Sequence, residues 1–253
     1  MPAREASKYF FTTAFAVLFL LLSSADTSAT PLSFYQKKIY KAYISDDMSL
    51  WRQTMNQMEK DPQKDQSDLF LLHLSITQYG YIGYLMGKEY HTSARKTIDK
   101  TTVNVEKLKS SRYASEAYAL LAGLNGFEIG LAKHKAPFLG RKSEKYVEKA
   151  INLSSTNPMG WVEKGNIYYH MPGFFGGSYQ KAIRYYAKAV GNFSKHSYLP
   201  KWLKLNALVW LGKSYEANEQ YEQALKTYKK ALEVEPGFSW VRDELYPQLK
   251  KKL

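Results

Sequence analysis

The stretch that decides the fold covers residues 205–238 and reads LNALVWLGKSYEANEQYEQALKTYKKALEVEPGF. Apolar and small residues recur in it at helical spacing on both sides of a polar turn at residues 218–220. Gly212 and Ala224 are small enough to let two helix backbones approach closely. Pro236 follows the second apolar run and ends its helix. The stretch therefore predicts two antiparallel helices packed against each other.

This pattern resembles the tetratricopeptide repeat, a helix-turn-helix unit of about 34 residues. The residues that carry the resemblance are Leu208, Leu211, Gly212, Tyr215, Tyr221, Ala224, Tyr228, Ala231 and Pro236. Leu208 stands where the repeat usually begins with tryptophan. The resemblance implies an all-α, right-handed solenoid of stacked antiparallel helix pairs. It also implies an inner face, lined by the first helix of each pair, that binds extended peptides or partner helices.

A second unit begins at Pro158 and has a longer turn than the first. Its matching residues are Trp161, Gly165, Tyr168, Tyr179, Ala182, Tyr186 and Ala189. Residues 170–178 separate its two halves, and their proline and three glycines predict a loop. A weaker unit precedes it at residues 112–157. The tripeptides that begin at Lys149, Lys188 and Lys230 pair Lys-Ala with an aliphatic residue, which supports internal repetition.

Outside these units the pattern is weaker, and we divide the chain into three parts. Residues 1–29 are expected to be a signal peptide and residues 30–111 divergent N-terminal helical pairs. Residues 112–253 are expected to hold the repeats, with a C-terminal cap helix from Trp240. In the N-terminal part we predict helices at residues 32–43, 48–58, 67–86 and 90–108. Terminal units of a stack have one neighbour and usually depart from the consensus.

The first segment has the three parts of a secretory signal peptide. Arg4 and Lys8 precede an apolar run at residues 9–22, and small residues lead to a predicted cleavage site after Ala29. The run is about 14 residues, whereas a membrane-spanning helix needs about 20, although a retained anchor is an alternative. We therefore expect a secreted protein of a bacterial periplasm or cell envelope, with no transmembrane segment after cleavage.

Charge and cysteine content narrow the class of protein further. The net charge is +13, so anionic envelope polymers or membrane surfaces are possible partners, whereas no nucleic acid partner is expected. The Lys and Arg residues are interpreted mainly as solvated helix faces, since they mostly alternate with acids. The chain has no cysteine, which excludes disulfides, thiolate metal sites and cysteine catalysis.

No catalytic or metal-binding motif is present in the sequence. The histidines have no metal-ligand spacing, and no phosphate-binding loop or serine nucleophile motif occurs. We therefore expect no catalytic residue, no metal and no cofactor, and a protein that is not an enzyme. A hydrolase that pairs two distant carboxylates remains a third alternative. The histidines are His73, His91, His134, His170 and His196.

The resemblance also implies which residues bind a partner. Carried over by position, the inner face would contain Asn166, Tyr169, His170, Asn206, Val209, Lys213 and Glu216. The loop residues Phe174 and Phe175 are either an exposed docking contact or a plug over the helix ends, and we favour the plug. The leading hypothesis is a secreted or periplasmic scaffold that binds a protein, peptide or helix on its concave face. The alternative is a basic protein that binds polyanions or membrane surfaces through its lysines, including residues 250–252.

Overall fold

The computed structural model describes residues 30–252, and it contains helices and turns but no strand in that range. The predicted signal peptide and its cleavage site lie outside the described residues. The α-helices of the described part are α1 (Leu32–Ile44), α2 (Met48–Lys60), α3 (Gln63–Gln66), α4 (Asp68–Gly87), α5 (His91–Lys107), α6 (Ala114–Leu131), α7 (Ala136–Leu153), α8 (Pro158–His170), α9 (Tyr179–Asn192), α10 (Trp202–Ala217), α11 (Tyr221–Val234) and α12 (Tyr246–Lys250). The prediction of an all-helical chain is confirmed for these residues. None of their helices is both long enough and apolar enough to cross a membrane.

Consecutive helices pack as pairs along the chain. The pairs are α1 with α2, α4 with α5, α6 with α7, α8 with α9 and α10 with α11. Local sequence sets where they begin: Leu50 N donates to the Asp47 carboxylate at 2.9 Å, and Phe70 N donates to Ser67 Oγ at 3.3 Å. Such side-chain caps satisfy the free N–H groups of a helix start. The four predicted N-terminal helices are confirmed within two residues at each end.

Two repeat pairs are packed by the same glycine-on-tyrosine contact. In the last pair, a side chain at Gly212 would overlap the Tyr228 ring, and in the preceding pair a side chain at Gly165 would overlap the Tyr186 ring. Both tyrosines are fully buried. Because glycine has no Cβ, each first helix can approach the ring of its partner helix. The predicted role of Gly212 in close helix packing is therefore confirmed.

Helix α1, the first helix of the described residues, lies against the last repeat. Tyr43 of α1 packs its ring 5.2 Å from that of Trp202 and 5.1 Å from that of Phe238. Tyr40 Oη donates a 2.8 Å hydrogen bond to the Glu235 carboxylate. These contacts join residues that are far apart in the sequence. The N-terminal helix thus covers part of the inner side of the stack.

The C-terminal cap forms, but it is not a uniform α-helix. Residues Trp240–Leu245 form a π-helical segment that continues directly into α12. Pro247 lacks an N–H and cannot donate the regular bond to the preceding turn, which explains a wider turn there. Val241 and Leu249 are fully buried, whereas Leu245 is half-buried. Val241 and Leu249 therefore pack the cap against the last repeat.

Candidate partner-binding site

Apart from Glu216, the helical residues predicted to bind a partner fall into three groups, and the first is Asn166, which is half-buried. Its Nδ2 donates to Glu163 Oε2 at 2.9 Å, and its Oδ1 accepts a hydrogen bond from Tyr186 Oη. Glu163 also accepts from Tyr79 Oη of α4 at 2.7 Å. Asn166 therefore holds α8 to α9 and supports a buried carboxyl group. Its polar groups are used within the chain rather than offered to a partner.

Asn206 and Val209 form the second group, because α1 covers them. Asn206 Nδ2 donates to Tyr43 Oη at 3.1 Å, and Val209 is 0% exposed. Tyr40 and Tyr43 pack against the apolar cluster that contains Val209. The expectation that Val209 lines an open face is wrong, since the chain supplies its own helix there. No local pattern in residues 205–238 could reveal this, because the covering residues come from the opposite end of the chain.

The third group consists of Tyr169, His170 and Lys213, which lie on the uncovered part of the inner side. The ring centroid of Trp210 lies 5.3 Å from that of Tyr169 and 5.4 Å from that of His170. Tyr179, which begins α9, lies 5.4 Å from Tyr169. These edge-to-face and tilted arrangements are favourable for aromatic rings. His170 and Tyr179 are exposed, and the other two rings are half-buried, so part of this surface faces solvent.

Lys213 adds a positive charge to these rings. Its Nζ lies 5.2 Å from the ring centroid of Trp210 and 5.7 Å from that of Trp240, which belongs to the C-terminal cap. A lysine near the face of tryptophan is held by a cation–π attraction. We call Tyr169, His170, Trp210, Lys213 and Trp240 the recognition face.

Two pKa shifts on this face have a clear physical cause. Partial burial lowers the pKa of His170, and the positive charge of Lys213 lowers it further. Burial raises the pKa of Tyr169, with smaller contributions from Tyr179 and from the carboxylate of Glu216. Both groups are therefore neutral near pH 7. The imidazole of His170 can donate one hydrogen bond and accept another.

Glu216 lies beside the recognition face but is engaged by its own chain. Its Oε1 accepts from Lys252 Nζ at 2.7 Å, and its Oε2 accepts from Tyr228 Oη at 3.4 Å. The bond to Lys252 ties the C-terminal tail to α10. Glu216 therefore positions the end of the chain at the edge of the recognition face.

The loop before α9 presents its two phenylalanines to solvent. Phe174 is 87% exposed and Phe175 is 67% exposed, and their ring centroids are 4.1 Å apart. The backbone closes the helix end by itself, because Ser178 N donates to Tyr168 O at 2.9 Å. Gly177 lies directly against the Met171 carbonyl, which leaves no space for a side chain. The favoured interpretation of the pair as a plug is therefore wrong.

A second aromatic cluster on the same two helices was not predicted as a surface feature. Trp161, Tyr185 and Tyr168 stack in a row, with neighbouring ring centroids 5.9 Å and 5.3 Å apart. Lys188 Nζ lies 3.6 Å from the Trp161 ring centroid, and Lys181 Nζ lies 4.9 Å from that of Tyr168. Trp161 and Tyr168 were named only as residues that match the repeat; Trp161 is buried, and Tyr168 and Tyr185 are half-buried, so the cluster lies at the boundary between core and surface.

The sequence contains a signal for this basic surface. It corrects the interpretation that the lysines and arginines mostly alternate with acids. No aspartate or glutamate occurs between Lys164 and Tyr215, so the cations there do not alternate with acids. Over this stretch the charges are not those of an ordinary mixed helix face. The cations are Lys164, Lys181, Arg184, Lys188, Lys195, Lys201, Lys204 and Lys213.

Glu163 has the strongest electrostatic perturbation on α8, yet it lies in the interior. Burial raises its pKa to about 7, while the hydrogen bonds from Asn166 and Tyr79 oppose that rise. A side chain at Gly123 of α6 would overlap both Tyr79 and Glu163, so the carboxyl group is enclosed by three helices. A buried carboxyl with such a pKa can mark a catalytic site. Here the carboxyl group accepts hydrogen bonds that join α4 and α8.

The histidines do not assemble a metal site in the described part of the chain, where no three histidine or acidic side chains cluster suitably. His73 is buried, and its Nε2 lies 2.8 Å from the Tyr198 carbonyl oxygen. Burial lowers the pKa of His73 to about 4. The ring therefore stays neutral and links α4 to the segment before α10.

Comparison with known proteins supports the fold. Residues 206–238 match the family model of the tetratricopeptide repeat, so the chain contains this repeat. No curated protein gives a significant match to the sequence. Among solved structures, the HusA haemophore from Porphyromonas gingivalis is similar, with a TM-score of 0.50 and 14% identity over 76% of this chain and 96% of that chain. At this identity the likeness concerns the fold alone.

The matched repeat has a functional meaning of its own. Tetratricopeptide repeats are generally non-catalytic modules that mediate contacts between proteins, and stacked repeats create extended binding surfaces. The class that the fold defines is therefore a helical-repeat scaffold for protein–protein interaction.

Proposed function

We propose that the chain is a secreted scaffold that binds an extended segment of a partner protein on the recognition face. One observation carries this proposal. On the inner side of the stack, α1 covers Asn206 and Val209, whereas three helical segments bring aromatic rings together around Lys213 on the part that stays open. Aromatic side chains with few polar groups are typical of surfaces that recognise peptides.

The chemistry of the face suggests what the bound segment contains. The rings of Trp210 and Trp240 can pack against a bulky apolar side chain, and the Lys213 ammonium can pair with a carboxylate. His170 can exchange hydrogen bonds with a peptide backbone, because its imidazole is neutral. We therefore expect a segment in which an aromatic or large aliphatic residue lies next to aspartate, glutamate or a free C-terminus.

Peptides displayed on phage provide a direct test, since the partner does not need to be known in advance. The immobilised protein should enrich sequences that combine one large apolar residue with an acid. Lys213→Glu should weaken their binding about tenfold or more, because a charge attraction becomes a repulsion. Lys226→Glu, on the exposed outer face of α11, is the matched control and should bind as the parent does. Equal binding by Lys213→Glu and the parent would contradict the proposal.

Export to a bacterial periplasm or envelope is part of the same proposal, and residues 1–29 support it. The charged start, the apolar run and the small residues before Thr30 follow the order that signal peptidases require. Expression of the full chain in a bacterial host, followed by fractionation and N-terminal sequencing, tests it. We expect a periplasmic product that begins at Thr30. A cytoplasmic product with an intact first segment would contradict export.

Haem is a second candidate ligand, and a specific observation favours it. His170 is an exposed, neutral imidazole beside two aromatic rings, and histidine is a common axial ligand of haem iron. Lys213 is placed to pair with a carboxylate such as a propionate. The similar solved structure is named a haemophore, which makes this ligand worth a direct assay.

Absorption spectroscopy separates the two candidates. If haem binds at His170, titration of the protein should shift and sharpen the Soret band with a one-to-one endpoint, and His170→Ala should abolish the shift. His91→Ala, at the exposed histidine that begins α5, is the matched control. Absence of a saturable Soret change would exclude the haem proposal and leave the peptide proposal unaffected.

A further inference from the structure

The three most exposed large hydrophobic side chains of the described residues are all phenylalanines. Phe174, Phe138 and Phe175 have exposed fractions of 87%, 72% and 67%. Single exposed apolar residues are ordinary, but several large ones near each other usually mark an interaction surface. None of the three belongs to the recognition face, so the proposed function does not explain them.

These rings project from one end of the helix stack. Phe138 lies in the first turn of α7, and Phe174 and Phe175 lie between α8 and α9. Short connections join α6 to α7 and α7 to α8, and these helices pack on each other, so successive helices run in opposite directions. The α6–α7 and α8–α9 connections therefore lie at the same end.

The two connections that carry the phenylalanines contain no acidic residue, and Glu128 and Glu144 lie just outside them. No acidic residue occurs at residues 129–143 or at residues 164–215, which contain both connections. Lys133, Arg141 and Arg184 are exposed there. We call the three phenylalanines with these three cations the turn-end surface.

The phenylalanine pair is held outward by the backbone. Gly176 has φ of 100°, a left-handed conformation that glycine adopts without strain. Phe175 N and Gly177 N both donate to the Pro172 carbonyl, at 2.9 Å and 3.2 Å. The loop is thus a closed turn that holds two rings beyond the end of α8. A convex tip of this kind is suited to entering a deformable surface rather than filling a groove.

We propose that the turn-end surface binds the surface of an anionic lipid bilayer. Aromatic side chains are favoured at the boundary between lipid headgroups and acyl chains. Lysine and arginine near that boundary are attracted to anionic headgroups. In this arrangement the phenylalanines enter the interface, while Lys133, Arg141 and Arg184 contact the headgroups. This inference is independent of the proposed function, because the recognition face contributes no residue to it.

Vesicle sedimentation tests the apolar part of this surface. The protein is the chain from Thr30 onward, which contains every buried core residue of the described structure and lacks the apolar run at residues 9–22. The vesicles are phosphatidylcholine with 30% phosphatidylserine or phosphatidylcholine alone. We expect binding to the anionic vesicles, and Phe174→Ala with Phe175→Ala should lower the partition coefficient at least about tenfold.

The opposite end of the stack supplies the matched apolar control. Leu153 ends α7 and Val234 ends α11, and they are 53% and 44% exposed. Leu153→Ala with Val234→Ala removes exposed apolar surface without touching the turn-end surface, and it should leave the partition coefficient unchanged. An equal loss in both double variants would contradict the assignment to one end.

The contribution of the cations on the turn-end surface is tested with the C-terminal tail as the control. Arg141→Ser with Arg184→Ser should weaken binding about tenfold, because each cation near an anionic surface contributes a severalfold factor. Lys250→Ser with Lys251→Ser removes the same charge from the tail and should have little effect. Binding to the anionic vesicles should also fall steeply between about 50 and 200 mM salt.

Three results would overturn the proposal. They are equal binding to neutral and anionic vesicles, parent-like binding by the phenylalanine variant, and a loss confined to the tail variant. Heparin distinguishes a polymer ligand from a membrane. Binding of heparin should not depend on Phe174 and Phe175, and a phenylalanine-dependent heparin interaction without vesicle binding would indicate a polysaccharide instead.

Discussion

Helix α10 carries two surfaces that differ in whether another helix covers them. Its first part, with Trp202, Asn206 and Val209, is covered by α1, whereas its later part, with Trp210 and Lys213, stays partly open. Both parts belong to the inner side that a tetratricopeptide repeat normally offers to a partner. The repeat pattern therefore specifies the helix pair, but not whether the inner side of that pair is free. Here one part contributes to stability, and the other part is the surface that we propose binds a partner.

The largest expected difference between the two surfaces is in stability. Trp202 is 3% exposed and lies 5.1 Å from Trp51 and 5.2 Å from Tyr43, measured between ring centroids. Trp202→Ala should lower the free energy of unfolding by about 3–5 kcal/mol, as for other buried aromatic residues. Trp240→Ala on the open part should cost less than half of that. Urea denaturation of both variants measures the difference, and equal losses would contradict the comparison.

The buried carboxyl group of Glu163 on α8 should make stability depend on pH. Burial raises the pKa of Glu163 from 4.5 to about 7, so the folded state favours the protonated form. The contribution of Glu163 to the free energy of unfolding is fully present below pH 4.5. It is lost as the pH rises through 7, by roughly 3 kcal/mol in total. Glu163→Gln keeps the shape and removes the titration.

His73 titrates in the opposite sense, so the useful quantity is the difference in unfolding free energy between the parent and Glu163→Gln. Its pKa is lowered to about 4, so its contribution is present above its ordinary value of 6.5 and is lost as the pH falls through 4. Because both proteins contain His73, its effect cancels in that difference. We expect that difference to change between pH 4.5 and 7, and a constant difference would contradict the assignment.

The close approach of α10 and α11 supports both parts of the inner side. Gly212→Ala places a methyl group against the Tyr228 ring and should destabilise the protein by about 1–3 kcal/mol. Gly126→Ala in α6 is the matched control, because nothing lies within 4 Å of the added carbon. That variant should be neutral or slightly stabilising, since alanine favours a helix. Thermal unfolding of the two variants measures the contrast.

The smallest expected effect concerns the polar contact between α1 and α10. Asn206→Ala removes the 3.1 Å hydrogen bond to Tyr43 and should cost about 1 kcal/mol. Lys213→Ala on the open part should change stability by less than about 0.5 kcal/mol, because its side chain contacts solvent. Chemical denaturation with replicate measurements can resolve this difference. A larger loss for Lys213→Ala would reverse the comparison.

Features with a local pattern were predictable from the sequence. The glycine at position 212, the ending at Pro236 and the long turn of the second unit all follow from residue spacing, and the helix bounds confirm them. Tyr169, His170 and Lys213 lie around Trp210, as the first helices of adjacent repeats allow, whereas their role in binding stays a prediction. These successes depend on neighbours within one or two repeat units.

What the sequence did not reveal depends on distant or conformational contacts. The covering of Val209 joins two ends of the chain and has no spacing to detect. Phe174 is exposed because a glycine-closed turn holds it outward. Amino-acid composition does not specify the direction of such a turn. The absence of acids over residues 164–215, in contrast, was visible in the sequence and could have identified a basic surface.

Backbone hydrogen exchange of α1 tests most directly whether the inner side is divided in this way. If Tyr40 and Tyr43 hold α1 against α10, the amides of residues 37–44 should exchange as slowly as those of α10, near the rate set by global unfolding. Exchange of these amides much faster than those of α10 would mean that α1 detaches readily. The whole inner side would then be open, contrary to this account.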